Sequence, residues 1–140
     1  MVRRGRVVHV FDASALIALL KDEPGAAETE ALLADASSAR LVHAVNLCEV
    51  YYHFMKLNLE YTFAAELVAI ETGGLVPRQD LDHPFWRSVA RLKALFQRAS
   101  LGDCFAMALA QRVKGTIVTA DHPAFSRAAV SGICQVTFIR

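Results

Sequence analysis

The chain has 140 residues, enough for one compact domain that buries about two-thirds of its unfolded surface without a disulfide or metal staple. Fifteen Lys and Arg against fourteen Asp and Glu leave a formal charge of +1, which lacks the basic excess of an obvious nucleic-acid binder. Hydrophobic residues reach 54% and charged ones only 21%, which excludes disorder and leaves apolar surface to spare for a partner.

In chain order, Val7 to Phe11 reads as a buried strand and Ser14 to Lys21 as a short helix. Gly25 to Ala36 is helical, anchored by Leu32 and Leu33. Leu41 to His43 is a brief strand, followed by a helix from about Asn46 to Leu59. Thr62 to Glu71 forms another helix, stopped at Gly73-Gly74, and Leu75-Val76 is a third strand. Pro84 opens a helix that continues to about Arg98, and Ser100 begins the next, which ends near Gly115. Thr116 to Thr119 is a strong strand and Val136 to Ile139 a final one. Strands separated by helices predict an α/β three-layer sandwich, its central sheet mostly parallel and flanked by helices on both faces.

Other classes are disfavoured. The longest apolar stretch, Val7 to Leu20, carries His9, Asp12 and Ser14 and is short of the roughly 20 residues a membrane span needs. Arg3, Arg4 and Arg6 imitate the basic end of a signal peptide, but no small-residue cleavage site follows. Cys48, Cys104 and Cys134 are odd in number, widely spaced and form no CxxC, which fits a reducing compartment. A cytoplasmic protein with no membrane association is expected. No repeat or linker appears, so residues 1–140 are read as one domain, with residues 1–6 as a flexible basic arm.

Four acids stand at element junctions. Asp12 directly follows the first strand, and Asp121 follows Thr116 to Thr119 with one residue between. Glu49 and Asp103 fall in the first turns of the predicted helices at Asn46 and Ser100. Helix N-termini gather at the carboxyl ends of parallel strands, so all four point toward the edge where open α/β sheets place ligands. Each has an ordinary structural reading: Asn46-x-x-Glu49 and Ser100-x-x-Asp103 resemble capping boxes, Asp121-His122-Pro123 a turn, and Asp12 or Ser14 a helix cap. Jointly, four converging carboxylates repel and raise one another's pKa values unless a cation neutralises them. Carboxylate oxygens with retained waters suit Mg²⁺ or Mn²⁺, and ions so held can activate water for phosphodiester hydrolysis. No phosphate-cradling glycine loop and no nucleophile elbow competes.

The run from Val8 to Leu20, with Val45 to Val50, Ser100 to Ala106 and Val118 to Phe125, resembles the motifs of PIN-domain ribonucleases, in the family's order and spacing. Among these, the short length is most similar to VapC-like toxins of type II toxin–antitoxin pairs. The resemblance implies a Mg²⁺- or Mn²⁺-dependent endoribonuclease acting on RNA, a homodimer, neutralised by a small cognate antitoxin. It implies Asp12 and Asp103 as principal metal ligands, Asp121 completing the shell, and Glu49 at the metal, orienting or deprotonating the attacking water. Ser14 and Thr119 match positions whose hydroxyls organise the acids, while Asn46 stands where many relatives carry Ser or Thr. The competing function is a PIN-like module that binds RNA or protein without cutting, against which the intact quartet argues. A phosphoacceptor receiver lacks its lysine here, and a haloacid-dehalogenase-like phosphatase would need an acid at Ser14.

Eleven of the fifteen basic residues are Arg, which suits bidentate phosphate contacts. Arg87, Arg91 and Arg98 are candidate RNA contacts; Arg112 and Lys114 are expected to complement a helix C-terminus. His122 is a turn or surface residue that can reach substrate, whereas His9 is a strand residue and His43, His53 and His83 show no ligand spacing. Tyr51, Tyr52, Phe54, Met55 and Phe63 are mostly core; with Leu16, Leu20 and Leu33 they are also candidates for a groove taking an amphipathic antitoxin segment. Setting the four acids aside, fifteen basic against ten acidic residues leave +5, so near-neutrality averages an acidic site with a basic remainder.

Overall fold

A computed structural model describes residues 5–140. The elements are β1 (Val8–Phe11), α1 (Ala13–Leu20), α2 (Ala26–Ala34), β2 (Ala39–His43), α3 (Ala44–Lys56), α4 (Glu60–Thr72), β3 (Leu75–Arg78), α5 (His83–Leu95), α6 (Leu101–Val113), β4 (Thr116–Thr119), α7 (His122–Ser131) and β5 (Gln135–Phe138). The strands form one sheet in the order β3-β2-β1-β4-β5, with every pairing parallel. The chain moves from β1 outward through β2 to β3, then returns to the other side of β1 for β4 and β5. That reversal opens a crevice beyond the carboxyl ends of β1 and β4.

Successive residues of a strand face opposite sides of the sheet, and here that alternation builds two cores. Val10, Leu41 and Ile117 pack on one side with Phe85, Val89 and Leu92 of α5, Met107 and Leu109 of α6 and Phe125 of α7. Phe11, Val42 and Val118 pack on the other with Ala15 and Leu16 of α1, Val50 and Phe54 of α3 and Leu67 of α4. Both faces are therefore covered, which is why the strands read as apolar runs rather than alternating ones. Among the described residues no helix is long and apolar enough to cross a membrane.

Three departures from the predicted elements have local causes. α3 starts at Ala44, earlier than predicted, because the His43 ring caps it by accepting from Val45 N at 3.0 Å. Asn46 is therefore not a cap, and Glu49 lies in the second turn. α7 extends from a segment that the sequence marks only as a turn. Asp121 caps it, Pro123 occupies its first turn, and Gly132 follows at φ +76°, so its boundary signals were all present. α5 stops at Leu95, which leaves Arg98 in the connection to α6.

Arg3 and Arg4 of the predicted arm lie outside the described residues. Arg6 is held by hydrogen bonds to the carbonyls of Ala36 (3.0 Å) and Ser37 (3.2 Å). Leu16 and Phe54, candidates for a partner groove, are fully interior. Arg112 does not simply complement its helix end. It binds Asp82 and Asp80, with Nη2 2.7 Å from Asp82 Oδ2, and lies over the Phe85 ring at 5.0 Å. His43 stacks on the same ring, 5.4 Å between centroids, which joins the β2–α3 corner to α5.

The hydrogen bonds from Arg112 hold the Asp82 carboxyl down at about 2, and those from Arg78 and Arg112 lower Asp80. Carboxyls lowered by folding add stability above their unfolded value near 4, and that stability is lost as pH falls through the folded value. Arg112→Met should therefore lower the urea midpoint at pH 7, with the gap from the parent narrowing on acidification toward about pH 2.

Candidate active site

Asp12 leaves β1 where the crevice opens, its backbone N–H donating to Val118 O at 3.1 Å. Asp12 is only 2% exposed, and its carboxylate accepts four hydrogen bonds from three donors. Oδ1 takes Ala15 N (2.9 Å) and the Ser14 hydroxyl (2.8 Å); Oδ2 takes the Thr119 hydroxyl (2.6 Å) and Ser14 again (2.9 Å). Each hydroxyl is oriented from behind: Ala120 N donates to Ser14 Oγ at 2.9 Å, and Asp121 N to Thr119 Oγ1 at 3.0 Å. A hydroxyl has one proton, so a backbone donor on its lone pair turns that proton toward the carboxylate. The network ties β1–α1 to β4–α7. Burial nonetheless pushes the Asp12 carboxyl up to about 7, against the bonds from Thr119, Ala15 and Ser14.

Glu49 is placed from two sides. Asn46, almost fully buried, donates through Nδ2 to Glu49 Oε1 and to Gly102 O, both at 3.0 Å, clamping α3 onto α6. The carboxylate lies against Gly102: a Cβ there would collide with Glu49 Oε1 and come within 2.8 Å of Cδ. Asp103 sits in the first turn of α6 in a reciprocal cap with Ser100, Ser100 N donating to Oδ2 at 2.8 Å and Asp103 N to Ser100 Oγ at 3.0 Å. Asp121 caps α7, its Oδ1 accepting from Ala124 N at 3.1 Å.

All four acids line one open pocket of about 440 Å³, with Ala13, Ser14, Ile17, Tyr52, His53, Arg98 and Ser100. Structural and chemical readings of these acids coexist. In Glu49, Asp103 and Asp121 one oxygen is pinned by a local bond, and the other has no hydrogen-bond partner among the described residues. Their electrostatics correct the expected cause. Burial, not mutual repulsion, is the main reason that Glu49 and Asp103 are raised, with Asp103 adding to Glu49 and Asp121 adding to Asp103.

Ser14 and Thr119 both bond the Asp12 carboxylate, and Ser14 and Arg98 line the pocket. Arg87 and Arg91 are exposed on α5 and do not line it. His122 is turned away, its Nε2 2.7 Å from Arg140 O and its ring stacked on Phe138. Tyr52 and His53 were not read as site residues. Their spacing of three and four from Glu49 on one helix was the available signal.

Among the described residues, no three His, Cys, Asp or Glu side chains are grouped so as to hold a metal ion between them. An open, oxygen-only, partly pinned donor set fits Mg²⁺, which keeps several waters and takes one or two protein carboxylates plus substrate oxygens. It does not fit the tetrahedral nitrogen–sulfur cage of structural zinc.

The PIN domain family model matches residues 9–130, from β1 through most of α7. The chain belongs to the PIN domain family. Comparison with curated protein sequences found no match. Among solved structures, this PIN domain is similar to a toxin–antitoxin complex from Klebsiella pneumoniae, at 18% identity and TM-score 0.70 over 94% of this chain and 98% of that one. It also resembles VapBC2 from Rickettsia felis bound to a promoter DNA fragment, at 13% identity and TM-score 0.71, again over 94% and 98%. VapBC-1 from nontypeable Haemophilus influenzae matches at 11% identity and TM-score 0.65, over 95% and 98%. At these identities the likeness establishes the fold.

Two outcomes check the geometry. A Gly102→Ala change gains up to about 1 kcal/mol of helix propensity where space allows. Here it should instead destabilise the parent by roughly 1–3 kcal/mol and become stabilising in a Glu49→Ala background, read from urea denaturation as a double-mutant cycle. The raised Asp12 carboxyl makes ionisation costly to the metal-free fold as pH rises from about 4 through about 7. In EDTA, the parent's melting temperature should therefore fall by at least about 3 °C relative to that of Asp12→Asn between pH 4 and pH 8.

Proposed function

We propose that this PIN domain is an endoribonuclease using Mg²⁺ or Mn²⁺, and the toxin of a toxin–antitoxin pair. The observation that carries the reading is the convergence of Asp12, Glu49, Asp103 and Asp121 on one pocket, three of them keeping an unpartnered oxygen. Asp12 and Asp103 would hold the ion, with Asp121 completing the set. Bound there, it would supply Lewis-acid polarisation of the phosphodiester and a lowered pKa for water.

The remaining steps fall to the chain's own groups. Ser14 and Thr119 hold the Asp12 carboxylate in one orientation through its two oxygens. Asn46 fixes Glu49 Oε1, so Oε2 is the atom that orients the attacking water and takes its proton. The raised pKa of Glu49 brings that base closer to neutral pH, where proton transfer is most effective. Arg98, the only Lys or Arg lining the pocket among the described residues, offsets charge on the substrate phosphate.

An antitoxin partner is supported by the Klebsiella pneumoniae structure that shares this fold, which is a toxin–antitoxin complex by description. The surface we assign to it is a larger, mainly apolar cavity of about 480 Å³ between α1, α2 and α4, away from the acids. Leu19, Leu20, Leu33 and Ile70 line it and Glu30 and Glu66 edge it, which suits an amphipathic segment carrying basic residues. Exposed Tyr52, Met55, Tyr61 and Val68 on α3 and α4 supply apolar area for a second copy.

Purified protein should cleave single-stranded RNA with Mg²⁺ and not in excess EDTA. Asp12→Asn and Asp103→Asn should each lower the rate at least about a hundredfold with melting transitions retained. Mg²⁺ should raise the parent's melting temperature and not that of Asp12→Asn. Full activity in either variant, or in EDTA, overturns the mechanism; metal-independent RNA binding without cleavage identifies the non-cutting module instead.

A further inference from the structure

The arginines divide sharply by what they touch. Arg6, Arg40 and Arg140 donate to backbone carbonyls, and Arg78 and Arg112 pair with Asp80 or Asp82. Arg87, Arg91, Arg98 and Arg127 have no hydrogen-bond or ion-pair partner among the described residues. Three of these four lie on α5 and the connection that follows it. Arg87 and Arg91 are one turn apart on one face, both exposed, and Arg98, in the connection after α5, lines the acid pocket. Trp86 is 48% exposed beside Arg87, its ring 4.8 Å from the His83 ring.

An indole left in solvent beside unpaired guanidiniums, on a path that ends at four carboxylates, has a consistent chemical meaning. Guanidiniums offer bidentate donors to phosphate, and an exposed indole offers a π face to an unpaired base. A base in a duplex is already stacked and gains nothing from that ring. A second copy of this chain is a poor occupant, because a two-fold contact sets the same patch against itself and would oppose uncompensated cations.

We propose that the outer face of α5 binds the single-stranded RNA substrate and leads it to the acids. Arg87, Arg91 and Arg98 pair with phosphates along the strand, and Trp86 stacks on a base. This rests on the nuclease reading above and adds to it the path of the substrate across the protein.

The test measures binding apart from cleavage, by anisotropy of a labelled RNA of about 12 nucleotides on the full chain in an Asp12→Asn background. The Arg87→Gln, Arg91→Gln, Arg98→Gln triple variant should bind at least about tenfold more weakly near 0.1 M salt. Its slope of log affinity against log salt should be shallower by about 2. Trp86→Ala should weaken single-strand binding several-fold and leave duplex binding unmoved. Arg127→Gln, the same charge change on α7, should match its background. The proposal is overturned if the triple variant behaves like Arg127→Gln, or if duplex binds as tightly as single strand. A change in light-scattering mass with RNA affinity unchanged also overturns it. Loss of binding in the variants while the parent fails to cut would sink the nuclease reading and leave the path standing. A parent that cuts, with variants that bind normally, would sink the path alone.

Discussion

Everything at the carboxyl edge depends on keeping one carboxylate, that of Asp12, out of bulk water at the point where the strand order reverses. An isolated buried charge would be prohibitive. Here the cost is offset locally, by a backbone N–H from α1 and by two hydroxyls whose protons are turned toward it by the backbone N–H groups of Ala120 and Asp121, just after β4. The same bonds that hold the carboxylate therefore close the seam between the two halves of the sheet. Burial still dominates and raises the carboxyl to about 7, and a nearby cation would favour its ionised form.

The opposite wall of the pocket is built differently. No charge is paired there; a neutral amide, Asn46, bridges α3 and α6 and takes one oxygen of Glu49 on the way. The bare Cα of Gly102 makes room for the rest of that carboxylate. One wall is thus rigid through hydrogen bonds onto a buried anion and the other through close helix contact. The pocket between them stays open.

Much of this was legible in the residues. Apolar runs at Val8 to Phe11 and Thr116 to Thr119 mark strands buried on both faces, and Ser100-x-x-Asp103 states its own capping geometry. The acids converge because their positions follow strand ends and helix starts, which parallel topology brings together. What was not legible depended on the side chains of other elements. Asn46 looked like a cap because Asn caps well, but the His43 ring took that role one turn earlier. α7 was obscured because Pro123 reads equally as turn or first helical turn, and only its packing of Phe125 decides. The fate of each Arg could not be read from composition, since only the folded chain shows which carbonyls and carboxylates lie within reach.

The sharing of work between capping and chemistry bears on how such a protein can lose its activity in evolution. At Asp103 and Asp121 the bond that holds the helix start uses a single oxygen, which the amide oxygen of an asparagine can supply in its place. An Asp-to-Asn codon change is a single-base step, so a silenced descendant can keep its fold almost intact and persist as a binding protein. At Asp12 both oxygens are engaged, and an amide cannot accept on its nitrogen. Lineages that drift away from catalysis should therefore change first at the two helix caps and last at the first strand's end.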